Sequence, residues 1–210
     1  MAGTEPGRLI VLAAPSGAGK TTLVHELLAR EPELEFSISY TTRPQRDTEV
    51  GGRDYFFVSR GEFDAMRERE EFLEYAEVFD HWYGTSEKHV QSLIDKGHSI
   101  LLEIDWQGAV QIRARRPDAV SVFIMPPSRE VLEGRLRGRQ TDSEDVIKRR
   151  LDDALSDMVH WNEFGYVVVN DNLDHAAAEV AAIVHGKGAG NRTDLPDVRS
   201  RVEAILAAGE

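Results

Sequence analysis

"RLIVLAAPSGAGKTTLVHELLAR", Arg8 to Arg30, changes its hydrophobic rhythm halfway along. The first part, Arg8–Ala14, is a short unbroken apolar run that ends at a glycine-containing turn, the pattern of a buried strand. The last part, Lys20–Arg30, spaces Leu23, Leu27 and Leu28 along one face of a helix, and Pro32 follows its end. Between them lies "APSGAGKTT", with Gly17, Gly19, Lys20 and Thr21 placed as in a phosphate-binding loop and Ala14 where the general pattern starts with glycine. A strand, a glycine turn and a helix in that order let backbone N–H groups face phosphate oxygens, and the helix adds its positive N-terminal end. Ala14, Pro15, Ser16, Gly17, Ala18, Gly19, Lys20, Thr21 and Thr22 are therefore the candidate triphosphate cradle. Lys20 is expected to reach the β- and γ-phosphates, and the Thr21 hydroxyl to hold Mg²⁺. Ala14 suits the loop provided its backbone stays in the ordinary β region, where alanine adds only a Cβ.

Outward from this loop the same alternation recurs. Buried strands are expected at Ser99–Asp105, Ala119–Met125 and Tyr166–Asn170. Helices are expected near Glu87–Lys96, Ala109–Arg115, Arg129–Arg137, Glu144–Met158 and Asp174–His185. Apolar strands alternating with helices specify an α/β fold, a parallel sheet flanked by helices. Two stretches break the rhythm. Ile38–Ser86 carries strand-like "DYFFVS" and "FLEYAEVF" around a short helix, "GEFDAMRER", and reads as an inserted mixed α+β subdomain. The arginine-heavy Arg129–His160 suits an exposed helical hairpin, and Gly186–Asp197 suits a linker before a surface helix.

The 210 residues carry a net charge of -12, which argues against broad nucleic-acid or anionic-membrane binding. There is no cysteine, so disulfides and thiolate metal sites are excluded. The seven histidines show no metal-ligand spacing, and no apolar run approaches membrane-spanning length. A cytoplasmic protein acting on small molecules is the expectation.

From Ser37 the chain reads "SISYTTRPQRDTEVGGRDYFFV". Arg43 and Arg46, with Tyr55 beyond a Gly-Gly turn, can grip a phosphate through guanidinium forks and a phenol. A solvated loop with two surface arginines is an equally good reading of these residues alone. Likewise Glu74 in "EREEFLEYAE" can be the wet face of a strand or helix, or a base-reading carboxylate.

The spacing T-T-R-x-x-R-x-x-E-x-x-G-x-x-Y-x-F-V over Thr41–Val58 resembles the signature of guanylate kinases. So do "EFLEYAEV" (Glu71–Val78), "YGT" (Tyr83–Thr85), "EIDWQG" (Glu103–Gly108), "GRLRGR" (Gly134–Arg139) and "VVND" (Val168–Asp171), in the family's order. The resemblance covers about Arg8 to His185, and this family also tolerates alanine at position 14. It implies a P-loop nucleoside-monophosphate kinase catalysing ATP + GMP ⇌ ADP + GDP, with dGMP as a further acceptor and Mg²⁺ as cofactor. By position, Arg43, Arg46, Tyr55 and Tyr83 would hold the GMP phosphate, and Ser39, Glu74 and Asp105 would read guanine with Thr85 nearby. Thr21 and Glu103 would lie at the metal, and Asn170 near the adenine of ATP. Lys20, Arg43, Arg135, Arg139 and Arg150 would stabilise the transferring phosphoryl group. The implied division is 1–37, 89–128 and 161–190 as core, 38–88 as GMP-binding subdomain, 129–160 as lid and 191–210 as tail.

Guanine chemistry agrees with these positions. Its N1–H and 2-amino group are adjacent donors that one carboxylate can accept, while a hydroxyl donates to O6. Two other classes fit parts of the pattern: a phosphopeptide-binding scaffold module of similar build, and a kinase of a phosphoribosyl compound. A transfer enzyme must also exclude water, so the inserted subdomain and the helical lid are expected to close over the substrates.

Overall fold

Strand β1 (Leu9–Ala13) is buried at every position, as its unbroken apolar run requires. In chain order it is followed by α1 (Lys20–Arg30), β2 (Leu34–Phe36), β3 (Tyr40–Thr41), β4 (Phe56–Phe57), α2 (Arg60–Glu68), β5 (Phe72–Val78) and β6 (His81–Ser86). Then come α3 (Glu87–Ile94), β7 (Ser99–Ile104), α4 (Trp106–Arg115), β8 (Val120–Met125) and α5 (Arg129–Arg137). The last elements are α6 (Glu144–Met158), β9 (Tyr166–Val169), α7 (Leu173–Val184) and α8 (Pro196–Ala207). This computed structural model describes residues 7–78, 80–138 and 143–208. Among them no helix is long and apolar enough to cross a membrane.

The larger sheet has strand order β2-β7-β1-β8-β9. β1 pairs with β8, β8 with β9 and β2 with β7, all in parallel, which is the α/β core expected from the alternating pattern. The chain divides into two compact units, and each is built by its own logic. The first comprises Met1–Leu9, Glu33–Leu102 and Gln107–Ala119; the second comprises Ile10–Pro32, Glu103–Trp106 and Val120–Glu210.

In the second unit, β8 is buried at all six positions, and α1 turns Leu23, Val24 and Leu27 inward. The guanidinium of Arg30, at the end of α1, pairs with Asp174 in the first turn of α7 at 2.5 Å. The arginine-heavy helices are amphipathic: α5 buries Leu132 and Leu136, and α6 buries Ile147, Leu151, Ala154 and Met158 at helical spacing. The expected linker is instead tied to the sheet. Arg192 bridges antiparallel to Tyr166 on β9, and the buried Thr193 donates its hydroxyl to the Phe164 carbonyl at 2.5 Å. β9 is an edge strand, and this segment supplies partners to backbone groups that the edge would leave unpaired.

The first unit carries a mixed four-stranded sheet in the order β4-β3-β6-β5. Its back is aromatic: Tyr40 stacks on Phe56 at 4.8 Å, and Phe63 of α2 stacks on Phe72 of β5 at 4.5 Å. Gly84 lies beneath those rings, and a Cβ built on it would sit 2.9 Å from Phe72 and 3.1 Å from Phe63. α2 is itself well specified, since Ser59 and Glu62 form a complete capping box.

Two predictions follow from packing and burial. Gly84→Ala should destabilise the protein by about 1–3 kcal/mol, because two packed rings must move; an unchanged denaturation midpoint would refute the close approach. The half-buried Asp157 on α6 has its carboxyl pushed up to about 6, chiefly by loss of solvent, against a hydrogen bond from Trp106, with Asp105 and Asp153 adding repulsion. The folded state therefore holds this proton more tightly than the unfolded chain, and stability falls as pH rises from about 4 towards 6. Thermal melts of Asp157→Asn should show a shallower fall across that window than the parent protein.

Candidate active site

The loop after β1 has to leave a buried strand and enter a helix within six residues. It does so with Gly17 at φ +87° and Gly19 at φ +90°, the left-handed region where a side chain is strained. The described non-glycine residues with positive φ are Glu70 and Asp80, so Ala14 keeps the ordinary backbone on which its Cβ is harmless. Gly19 caps α1, which has no side-chain cap, leaving its first amides for a ligand.

Around this loop the second unit gathers several of the predicted residues. Lys20 donates its ammonium to the carbonyl of Ile104, at the carboxyl end of β7. Thr21 follows on α1 and donates its hydroxyl to Glu103 of β7 at 2.6 Å. Asn170, just beyond β9 and buried, donates its side-chain amide to the Ala18 carbonyl at 2.8 Å. Arg135 of α5 donates to the same carbonyl at 2.9 Å and to the backbone carbonyl of Asn170 at 3.0 Å. The group thus assembles where parallel α/β sheets bind ligands, at the carboxyl ends of the strands. Asp105 lies between β7 and α4, half-buried, and Arg150 lies half-buried in the middle of α6. Arg139 is outside the described residues.

The acceptor candidates of the first unit are brought together by strand period. Cross-strand partners point to one side of a sheet, and residues two apart along a strand share that side. Thr41 pairs with Tyr83, Tyr83 with Ala76, and Thr85 with Glu74, so Tyr83, Thr85 and Glu74 share a face. Ser39 and Arg43 lie just outside β3 and Tyr55 just before β4, where a contact and not strand period brings Arg43 to Tyr55, its guanidinium 5.4 Å from the ring centroid. Glu74 reaches this face through a bulge: the β5–β6 register shifts between Phe72 and Glu74, and Phe72, Leu73 and Glu74 are buried in succession. Glu74 is 4% exposed and accepts the buried Thr85 hydroxyl at 2.6 Å.

Arg43 is the centre of the polar end of this face. Its guanidinium pairs with Glu49 at 2.6 Å, donates to the Pro44 carbonyl at 2.9 Å and lies 5.4 Å from the centroid of the Tyr55 ring. The hydrogen bond that Arg43 donates to Glu49 raises the pKa of Arg43 above its usual value, partly offset by burial, and Tyr83 adds a further side-chain hydrogen bond. Tyr55 and Tyr83 meet edge to face at 5.9 Å. Arg46 is exposed and joins the group through its backbone, donating its N–H to Glu49 at 2.9 Å.

Sequence reasoning gave Glu49 no role and read Trp106 as a packing residue and not a stacking platform. Glu49 is held below the usual carboxylate range by its bonds to Arg43 and the Arg46 N–H, and so anchors both ends of the arginine loop. Its signal was the acidic residue three positions after Arg46. Trp106, which follows Asp105, stacks flat on His160 at 3.6 Å and 7°. Nothing in the sequence links those two rings.

With this geometry in hand, the chain can be compared with known proteins. The family pattern of guanylate kinase matches residues 6–187. The chain is similar to the guanylate kinase of Methylococcus capsulatus, 54% identical over 178 residues covering 85% of this chain and 87% of that one. It is also similar to that of Chromohalobacter salexigens, 46% identical over 202 residues covering 96% and 92%. Among solved structures it resembles the guanylate kinase of Anaplasma phagocytophilum, with TM-score 0.71, 34% identity and 95% of each chain covered. A glycine loop between β1 and α1, a Thr21–Glu103 hydrogen bond, a buried Glu74–Thr85 pair and an Arg43–Glu49 ion pair are combined in one chain. The chain belongs to the guanylate kinase family.

Proposed function

We propose that this protein transfers the γ-phosphoryl group of ATP to GMP, and also to dGMP, giving ADP and the diphosphate. Family membership supports the reaction, and the buried Glu74–Thr85 pair is the observation that carries the choice of base. Thr85 donates to one oxygen of Glu74 and so orients the carboxylate on its sheet face. Guanine N1–H and the 2-amino group are adjacent donors that one carboxylate accepts. Adenine has a lone pair at N1 and would be repelled. Ser39 donates to O6 in this reading.

Arg43, Arg46, Tyr55 and Tyr83 hold the GMP phosphate. Glu49 fixes the position of the Arg43 guanidinium, so it is in place before substrate arrives. The phosphate of GMP is already anionic near neutral pH, so no general base is needed to generate the nucleophile. What the chain supplies is position and opposing charge. The loop amides and Lys20 hold the donor phosphates, and Arg150 and Arg139 supply charge to the group in flight. The Thr21 hydroxyl and the Glu103 carboxylate are hard oxygen donors converging within 2.6 Å, a set that fits Mg²⁺. Held by Thr21 and Glu103, Mg²⁺ would supply positive charge beside the donor phosphates. A cytoplasmic location belongs to the same proposal.

The test is coupled ADP release with GMP, dGMP, AMP and no acceptor. Turnover with the guanine nucleotides alone is expected, and equal turnover with AMP would refute the base assignment. Glu74→Gln should narrow the GMP-over-AMP ratio of kcat/KM by at least about tenfold, and an unchanged ratio would remove Glu74 from base reading. Glu49→Ala should raise the KM for GMP several-fold while the KM for ATP stays constant, since it loosens the arginine loop of the first unit. A parallel rise in both would show that Glu49 acts on general stability instead.

A further inference from the structure

Asn170 and Arg135 place their donors on a single acceptor, the carbonyl of Ala18, at 2.8 and 2.9 Å. Arg135 also ties itself to the backbone of Asn170 at 3.0 Å, so the two side chains and the loop close a small hydrogen-bonded ring. The approach is tight: a Cβ built on Gly19 would stand 2.6 Å from the Asn170 side-chain nitrogen. α5, which carries Arg135, is packed on the same loop, with Leu132 and Leu136 each 3.0 Å from where a Cβ on Gly17 would be. Asn170 is 4% exposed, and its backbone N–H is taken by the Met125 carbonyl at 2.8 Å, so its position is set by the sheet.

A trans peptide is planar, and its C=O and N–H point in opposite directions. The Ala18 carbonyl and the Gly19 N–H belong to one such plane. Two donors pulling the carbonyl to the Asn170 side therefore turn the Gly19 N–H to the other side. Gly19, on one side of the plane and at positive φ, gives it little torsional resistance there, so outside support decides how it lies.

We infer that Asn170 and Arg135 form a two-donor clamp on the Ala18 carbonyl that aims the Gly19 N–H at the donor phosphates. Both are then positioning residues of the phosphate loop, and Asn170 acts on the triphosphate through the loop. The same bonds hold α5 against the loop. The inference rests on reading Ala14–Thr22 as the donor phosphate site.

Titration calorimetry with Mg²⁺-ATP and with Mg²⁺-tripolyphosphate, which has no base or sugar, tests it. Asn170→Asp keeps the size of the side chain but turns an oxygen towards the Ala18 carbonyl; Arg135→Met keeps the stem and removes both donors. Each should weaken binding of both probes by the same factor, about tenfold, while GMP binding and the melting temperature stay close to those of the parent. If Asn170→Asp fails to fold, Arg135→Met decides the matter. Loss for ATP alone would assign Asn170 to the adenine and overturn the clamp. Unchanged binding of both probes, or equal loss for GMP, would also overturn it. Failure of the parent protein to bind tripolyphosphate would instead overturn the underlying reading of the loop.

Discussion

Two glycines at positive φ, Gly17 and Gly19, are the constraint on which the donor half depends. A chain leaving a fully buried strand can enter α1 within six residues only by passing through the left-handed region, and a Cβ there is strained. The absence of those side chains has a second consequence: neighbours come close. Leu132 and Leu136 fill the space over Gly17, and the Asn170 amide fills the space beside Gly19. A loop that is conformationally permissive by sequence is made definite by the elements packed around it. That combination suits a phosphate cradle, which needs amides preset in direction before the charge arrives.

The acceptor half rests on a different device. A two-residue period would send Leu73 to one face of β5 and Glu74 to the other, yet both are buried. The register shift after Phe72 resolves the conflict by adding one residue to the strand, and Glu74 then pairs with Thr85. The aromatic back of the same sheet supports this placement, since α2 seats Phe63 over Phe72 and the bare backbone of Gly84. The motif "YGT" therefore combines three physical demands: a phenol packed edge to face on Tyr55, no side chain under the rings, and a hydroxyl for a buried carboxylate.

Much of this was legible from residue order. Strand β1, helix α1 and the glycines between them announce themselves by period and by the special freedom of glycine, both local properties. α5 and α6 occupy the spans expected from their spacing. Other features were hidden for an equally physical reason. The strand β2 has three residues, too few to show a period. The segment at 186–197 reads as a linker because its polar composition gives no sign of the bridge of Arg192 to β9 or the bond of Thr193 to Phe164. Glu49 was visible as a spacing but not as the partner of Arg43, because an ion pair depends on where a loop folds back.

The sequence by itself determined the parallel α/β core, the phosphate loop and, through several separated motifs in one order, the guanylate kinase family. Those follow from hydrophobic period, glycine geometry and residue chemistry, all of which are written along the chain. Only the tertiary structure decided that Asn170 and Arg135 converge on the Ala18 carbonyl, and that a bulge turns Glu74 towards Thr85. Hydrogen bonds between residues 117 or 152 positions apart depend on how strands and helices pack, and packing is a property of the folded chain as a whole.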